Sequence, residues 1–292
     1  MQLTITGYST ALFATWYFID EYGLLMDAGD GFMAALLHKS RKVNHVFISH
    51  ADRDHLTGLF QFNQLNARPG FPIMYYPKDS TSFPAMEAFS KTFDQHVSRT
   101  VWKPLAAGEK IFIKDNLYVE AIRNGHVEVK DDITKSLSYK IFETKRKLKP
   151  EWSHLTGGEI RQLSLEKGKD FLTYEVSNCL VGYSGDTPVE DVDRWDHCRL
   201  LIHEATFLGG KADVPLRKHG NKHSTLEEVM EMVSNIRIEQ LILGHFSSRY
   251  PLEQIDNRIL QLCDKYSISI PVYRILPGQF VSDILNQQPI NK

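Results

Sequence analysis

Two β-sheets packed face to face with helices outside, an α/β arrangement, is the fold this sequence predicts. Three observations carry the prediction. Short apolar runs recur in both halves of the chain, and helix-like repeats follow them. At 292 residues the chain suffices for one large α/β domain or two small ones. Histidines and aspartates cluster where the apolar runs end, the place at which an α/β sheet presents its chemistry.

Taken in order, residues 2–6 alternate polar and apolar and predict a strand. Residues 14–19 and 23–27 predict a second and third, joined by the polar turn Asp20-Glu21-Tyr22. Asp27-Ala28-Gly29-Asp30-Gly31 ends this meander, and 32–38 follow as a short helix. The β-branched run 43–49 reads as a buried strand, 72–76 as another, and 80–93 as a helix with Pro84 near its start. Short strands at 100–105, 111–114 and 117–122 are separated by Gly108 and Asp115-Asn116, both turn signals; 137–142 is the next. From 143 to 170 the chain is strongly charged and contains Lys145-Arg146-Lys147-Leu148-Lys149-Pro150. This is an excursion from the body, partly helical over 158–165, and serves either as a solvated face or as a substrate-gripping arm. Strands at 178–184, 199–204, 238–244 and 268–276, with helices at 225–233 and 252–266, complete the chain.

The composition excludes several classes. A net charge of −2 gives no global basic field, so nucleic-acid binding would need a local patch. No apolar run approaches the ~20 residues of a membrane span. The N-terminus begins with strand-like alternation rather than a charged-then-apolar signal, so cytoplasmic residence is the default expectation. Cys179, Cys198 and Cys263 are odd in number and widely spaced, which suits a reducing compartment and no disulfide framework.

The chemistry centres on Ile48-Ser49-His50-Ala51-Asp52-Arg53-Asp54-His55-Leu56-Thr57-Gly58, between the strand at 43–49 and helix-spaced residues from Leu56 onward. His50 and Asp52 face the same way in an extended segment, and Asp54 and His55 begin the helix and can turn back toward them. Two imidazoles and two carboxylates are good ligands for a divalent transition metal; helix capping needs one carboxylate and explains neither histidine. Further candidates stand at later strand ends: His126 after Gly125, Asp186 in Ser184-Gly185-Asp186-Thr187, and His245 after Gly244. A lone strand-end histidine is ordinarily a hydrogen-bonded loop residue; three ligand types in succession, after a cluster that needs partners, point to metal. Glu204 ends another apolar strand, and His223-Ser224-Thr225 precedes a helix. A histidine oriented by a buried glutamate is placed as an acid, although an ordinary surface histidine beside a cap fits the spacing equally. There is no Gly-x-Ser-x-Gly elbow and no phosphate-binding Gly-rich loop.

The ordered series Asp27-Ala28-Gly29, His50-Ala51-Asp52-Arg53-Asp54-His55, Gly125-His126, Ser184-Gly185-Asp186-Thr187, His203-Glu204-Ala205-Thr206-Phe207, His223-Ser224-Thr225 and Gly244-His245-Phe246-Ser247-Ser248-Arg249-Tyr250 resembles the metallo-β-lactamase superfamily. The last three pieces resemble its ribonuclease Z branch, short form, the zinc phosphodiesterases that remove 3′ trailers from precursor tRNA. The resemblance spans about residues 23–250. It implies a four-layer αβ/βα sandwich over residues 1–292, with the basic arm at 143–170 inserted and a two-metal site at one edge. Carried over, it implies one metal on His50, Asp52 and His126, a second at Asp54, His55 and His245, and Asp186 bridging. A hydroxide between the metals would attack, Asp54 would act as general base, Glu204 would orient His223, and His223 would protonate or stabilise the leaving oxygen. Asp27 would steady the cluster from behind. Arg249 would contact phosphate or form a buried ion pair, and Lys145, Arg146, Lys147 and Lys149 would grip RNA. The metals implied are two divalent ions, Zn2+ first, with Mn2+ or Fe2+ admitted. The partners implied are precursor tRNA or a small phosphodiester, and a homodimer.

Two departures stand out. The branch has histidine at the position of Asp52, whose harder carboxylate weakens the preference for zinc. The arm lacks the branch's Gly-Pro-rich tip and keeps only its basic run and Gly157-Gly158. A small-substrate phosphodiesterase or other ester hydrolase on the same scaffold is therefore the alternative, and a non-catalytic metal- or RNA-binding relative a third reading.

Overall fold

A computed structural model of the chain describes residues 3–93, 95–209 and 222–292. The first half forms the meander β1 (Ile5–Thr10), β2 (Ala14–Ile19) and β3 (Leu24–Met26), then the parallel strands β4 (His45–Phe47), β5 (Ile73–Pro77) and β6 (Val101–Leu105). Helices α1 (Phe32–Leu36), α2 (Leu59–Asn66) and α3 (Ser82–Phe93) lie in the crossovers. The second half mirrors this plan. Strands β7 (Lys110–Lys114), β8 (Leu117–Arg123), β9 (Leu137–Leu148) and β10 (Thr173–Tyr183) are antiparallel. Between the last two lie α4 (Gly157–Lys167) and α5 (Lys169–Leu172). Strand β11 (Leu200–Glu204), α6 (Leu226–Asn235), β12 (Gln240–Gly244), α7 (Leu252–Lys265) and β13 (Val272–Arg274) continue in parallel. The short β14 (Phe280–Val281), which the sequence pattern does not signal, returns to pair with β1 in the first sheet.

Alternation along the buried strands creates the layers. Ile202 in β11 joins Tyr17, Met26, Phe47, Tyr139 and Val181 between the two sheets, whereas its neighbour Leu201 faces outward onto Val229, Met230 and Ile259 of the helices. On the first sheet Val46 and Ile48 likewise face Phe32, Phe62 and Phe83. The central strands are thus apolar on both faces, and helices such as α6 and α7 on one, which is the predicted four-layer sandwich. Helix α6 begins where Thr225 accepts a hydrogen bond from the Glu228 N–H while Glu228 reaches back to the Thr225 backbone, a reciprocal cap.

Two expectations require correction. The strands at the foot of the charged excursion run farther than residues 142 and 178: β9 and β10 stay paired from Tyr139–Tyr183 out to Leu148–Thr173, and α4 and α5 close the end of that long hairpin. Lys145, Arg146 and Lys147 are consecutive on an exposed stretch of β9, so the sequence reads as polar although the backbone is ordered by pairing. The cysteines also depart from expectation. Cys179 in β10 and Cys198 just before β11 form a disulfide, with Cα atoms 4.6 Å apart, and Cys263 is a buried thiol. The parallel return from β10 to β11 makes these positions neighbours, which sequence spacing does not show. Among the described residues no helix is long and apolar enough to cross a membrane.

Replacing Thr225 with Ala should cost about 1 kcal/mol, the usual worth of such a cap. That is a fall of roughly 2–4 °C in a thermal melt; an unchanged midpoint would show that packing alone holds α6.

Candidate metal centre

The C-terminal ends of β3, β4, β8, β10, β11 and β12 all open onto one edge of the sandwich, and each carries one of the predicted site residues. After β4 the chain is pinned from both sheets. The Ile48 N–H donates to the Tyr75 carbonyl, the Tyr139 hydroxyl donates to the Ile48 carbonyl at 2.6 Å, and the Leu137 N–H donates to the Ser49 carbonyl at 2.8 Å. Arg53–His55 then form a single 3₁₀ turn, and the regular helix starts only at Leu59. Asp54 and His55 therefore do not begin α2, as the spacing suggests; the tighter turn is what brings both back over His50. Gly29 permits this packing, since a Cβ there would fall 2.2 Å from the Asp54 carbonyl oxygen.

Two sets of donors meet at this edge. In the first, Asp52 Oδ2 lies 3.6 Å from both His50 Nε2 and His126 Nε2. The other nitrogen of each ring is already engaged. His126 Nδ1–H donates to the Lys222 carbonyl at 2.9 Å. The Ser49 hydroxyl donates to Asp27 at 2.8 Å, so it accepts from His50 Nδ1–H at 2.9 Å. Each Nε2 thus presents a lone pair, is buried, and has no hydrogen-bond partner. Two orphaned acceptors facing one carboxylate are costly for a protein and suited to a cation.

In the second set His245 Nε2 lies 3.4 Å from His55 Nε2 and from Asp54 Oδ2. His55 Nδ1–H donates to Asp27 at 2.7 Å. The Thr206 hydroxyl donates to Glu204 at 2.7 Å and so accepts from His245 Nδ1–H at 2.8 Å. Both Nε2 atoms face the cluster, where a cation would displace the proton that the neighbouring carboxylates favour on His55. Asp186 lies between the sets, its Oδ1 3.3 Å from His245 Nε2 and its Oδ2 3.3 and 3.6 Å from the Nε2 atoms of His55 and His50. The residues present fit two divalent cations: imidazoles whose Nδ1 is engaged and whose Nε2 faces inward, anionic carboxylates, and one carboxylate shared.

Behind the cluster Asp27 is fully buried. It accepts from the Ser49 N–H at 2.6 Å, the Ser49 hydroxyl, His55 Nδ1–H and the Tyr183 hydroxyl. Beside it, Glu204 accepts from the N–H groups of Thr187, Ser224 and Thr206 at 2.9–3.0 Å, besides the Thr206 hydroxyl. His223 Nδ1 lies 3.3 Å from Glu204 Oε1 and 3.8 Å from Asp186 Oδ2, and its ring stacks on that of His245 at 5.5 Å.

The charges divide accordingly. Burial disfavours the His223 imidazolium, but the Glu204 carboxylate, with Asp186 behind it, outweighs burial and raises the pKa to about 9. Burial also opposes the charged form of His55, yet Asp186 and Asp27 raise it well above the ordinary histidine range. His50 is lowered by burial and by its histidine neighbours. Burial favours the neutral form of Asp54, but His245 and His55 overcome it and keep the carboxylate ionised.

The predicted substrate groups lie elsewhere. Arg249 is exposed rather than in a buried ion pair. Its guanidinium sits 5.2 Å over the Phe207 ring, which in turn stands edge-on to His223 at 6.2 Å. Lys145 pairs with Glu143 at 2.8 Å, Arg146 pairs with Asp170, Lys147 is exposed, and Lys149 lies over Phe171 at 5.8 Å. Leu137 begins β9 beside the centre, so at about 3.4 Å per residue Lys145 to Lys147 stand roughly 25–35 Å along the strand from it. Sequence reasoning missed Ser49, Thr206 and Tyr183, the hydroxyls that fix the tautomers and brace Asp27. Ser49 and Thr206 stand inside quoted motifs, but nothing in their spacing signals a role, and Tyr183 precedes the Ser184-Gly185-Asp186 motif without any signal of its own.

Comparison with known proteins agrees with this geometry. No protein-family model matches the chain. In sequence it is 27% identical to the chloroplastic tRNase Z TRZ2 of Arabidopsis thaliana over 277 residues, 91% of this chain and 73% of that protein. It is 28% identical to the ribonuclease Z of Bacillus licheniformis over 270 residues, 85% of this chain and 84% of that one. In structure it superposes on the metallo-β-lactamase fold protein YhfI of Bacillus subtilis with a TM-score of 0.62 at 14% identity, covering 96% of this chain and all of that one. The chain has the metallo-β-lactamase fold, and over most of its length it is related in sequence to proteins named ribonuclease Z or tRNase Z.

Proposed function

We propose that the chain is a metal-dependent phosphodiesterase, an endoribonuclease that removes 3′ extensions from precursor tRNA. The observation that carries the reading is the pair of three-donor sets sharing Asp186, with the His223–Glu204 pair standing over both. The relatives named tRNase Z support the choice of substrate.

His50, Asp52 and His126 would hold one divalent cation, Asp54, His55 and His245 the other, with Asp186 between them. Bound there, the cations would supply an activated water and screen the charge of the phosphodiester during in-line attack. The chain's own groups complete the reaction. Asp54 stays ionised, fixed at Oδ2 by the Leu12 N–H at 3.0 Å, and is placed to take a proton from the attacking water. His223 carries a proton at neutral pH because Glu204 stabilises the imidazolium. Glu204 is itself immobilised by three backbone N–H groups, so the ring is held in one orientation for donation to the leaving ribose oxygen. The basic run of the arm, far along β9 from its own centre, suits contact with a large RNA or service to the centre of a second copy.

A small phosphodiester is the second reading. Asp52 in place of histidine and the arm without a Gly-Pro tip favour it. One experiment separates the two: cleavage of a 3′-extended precursor tRNA and of bis(p-nitrophenyl) phosphate, with zinc or manganese, over a salt series. The tRNA reading predicts endonucleolytic cleavage of the RNA. It also predicts an affinity that falls with a log–log slope of about −0.7 to −0.9 per phosphate contacted. Turnover of the small ester alone, flat with salt, would replace it with the second reading.

His223 supplies a sharper test. Its folded pKa is raised, so the acid is present at neutral pH and lost as pH rises through that pKa. The wild-type rate should therefore fall on the alkaline side, and His223→Ala should lower kcat by about 10²–10⁴-fold and abolish that limb. A variant with unchanged rate and unchanged profile would remove His223 from the mechanism.

A further inference from the structure

The turn joining β1 to β2 is apolar at a place where nothing in the fold uses an apolar side chain. Leu12 is 88% exposed and Phe13 63% exposed. The turn is nonetheless fixed to the centre. The Leu12 N–H donates to Asp54 Oδ2 at 3.0 Å, and the Ala11 N–H donates to the carbonyl of Phe246, the residue after His245, at 3.3 Å. To reach Asp54 in this way Leu12 adopts a φ of +70°, the left-handed region that glycine or asparagine occupies more readily than leucine. The hydrogen bond to Asp54 is a backbone bond and makes no demand on either side chain. Backbone preference argues against Leu12 and solvent exposure against both Leu12 and Phe13, and packing gives them no compensation.

On the His223 side of the centre the Phe207 ring is covered by the Arg249 guanidinium. Phe13 follows Leu12 in the turn tethered to Asp54, and among the described residues no aromatic ring or cation is found against its exposed ring. A substrate phosphate directed to the metal donors would pass this rim. A nucleotide's phosphate and ribose are polar, so the face of its base is the one large surface that an exposed phenyl ring can take. We propose that Leu12 and Phe13 form a nucleobase platform, on which Phe13 stacks a base next to the scissile phosphate and so sets its position over Asp54. The proposal rests on the RNA-cleaving reading above and adds to it a named contact outside the ligand set. Stacking of this kind is tolerant of sequence, because every base has a π-face.

The test uses the full chain loaded with metal and a set of 3′-extended precursor tRNAs. One RNA is intact, and the others carry a single abasic nucleotide at one of the two positions on either side of the cleavage site. Phe13→Ala should raise KM for the intact RNA by about fivefold or more, the effect of losing one stacked base, with kcat largely kept. Phe13→Trp should restore KM. One abasic RNA should show the same rise with the wild type and no further rise with Phe13→Ala, because both changes remove one contact. Metal content and thermal midpoint of the variants should match the wild type, since Phe13 is exposed. Equal KM for Phe13→Ala and wild type, or penalties that simply add at every abasic position, would overturn the platform while leaving the RNA-cleaving reading intact. A wild type that cleaves the small ester and no RNA would instead overturn that reading, and the platform with it.

Discussion

Asp27 is the point on which the two halves of the molecule close. It follows β3 in the first sheet and is fully buried, yet it accepts the hydroxyl of Tyr183 at the end of β10 in the second sheet. A buried carboxylate without partners would be severely destabilising, so the donors around it are a condition of folding rather than an ornament. Those donors are the residues that shape the site: Ser49 directs His50 Nδ1, and His55 donates directly. Satisfying one buried charge thereby aligns the Nε2 atoms of two imidazoles toward the open edge. Fold stability and metal-site geometry depend on the same hydrogen bonds.

Much of this was legible in the sequence because strand ends are legible. An apolar run that stops at a histidine or aspartate fixes where that side chain emerges, and a sheet with parallel strands gathers such ends at one edge. His50, Asp52, Asp54, His55, His126, Asp186 and His245 were all found that way, and the structure brings them together. What stayed hidden depends on contacts between distant segments. Ser49 and Thr206 matter through which atom their hydroxyls donate to, a property that neither residue type nor spacing encodes. The Cys179–Cys198 disulfide depends on the neighbouring placement of β10 and β11. The continuation of β9 and β10 past residues 142 and 178 goes unsignalled because exposed paired strands carry the same charged residues as an unpaired loop. The two-residue strand β14 is too short for any periodicity to register.

The two donor sets are not equivalent. Asp54 and Asp186 are nearly buried, whereas the Asp52 side chain is half exposed, at 50%. The His126 and His50 rings beside it hold its carboxylate well below the usual range, against a desolvation penalty that exposure keeps small. A cation at the second set would be enclosed by protein, while one at the first would meet a harder, more hydrated ligand. Exchange and metal selectivity should therefore reside in the first set.

The inward-facing imidazole nitrogens of His50, His126, His55 and His245 would hold two cations. Metal stoichiometry tests this most directly. Protein purified without chelator and re-equilibrated with zinc or manganese should contain close to two metal ions per chain by elemental analysis, and His126→Ala should contain close to one. Less than one ion per chain in the wild type, with the protein folded and monodisperse, would contradict the account.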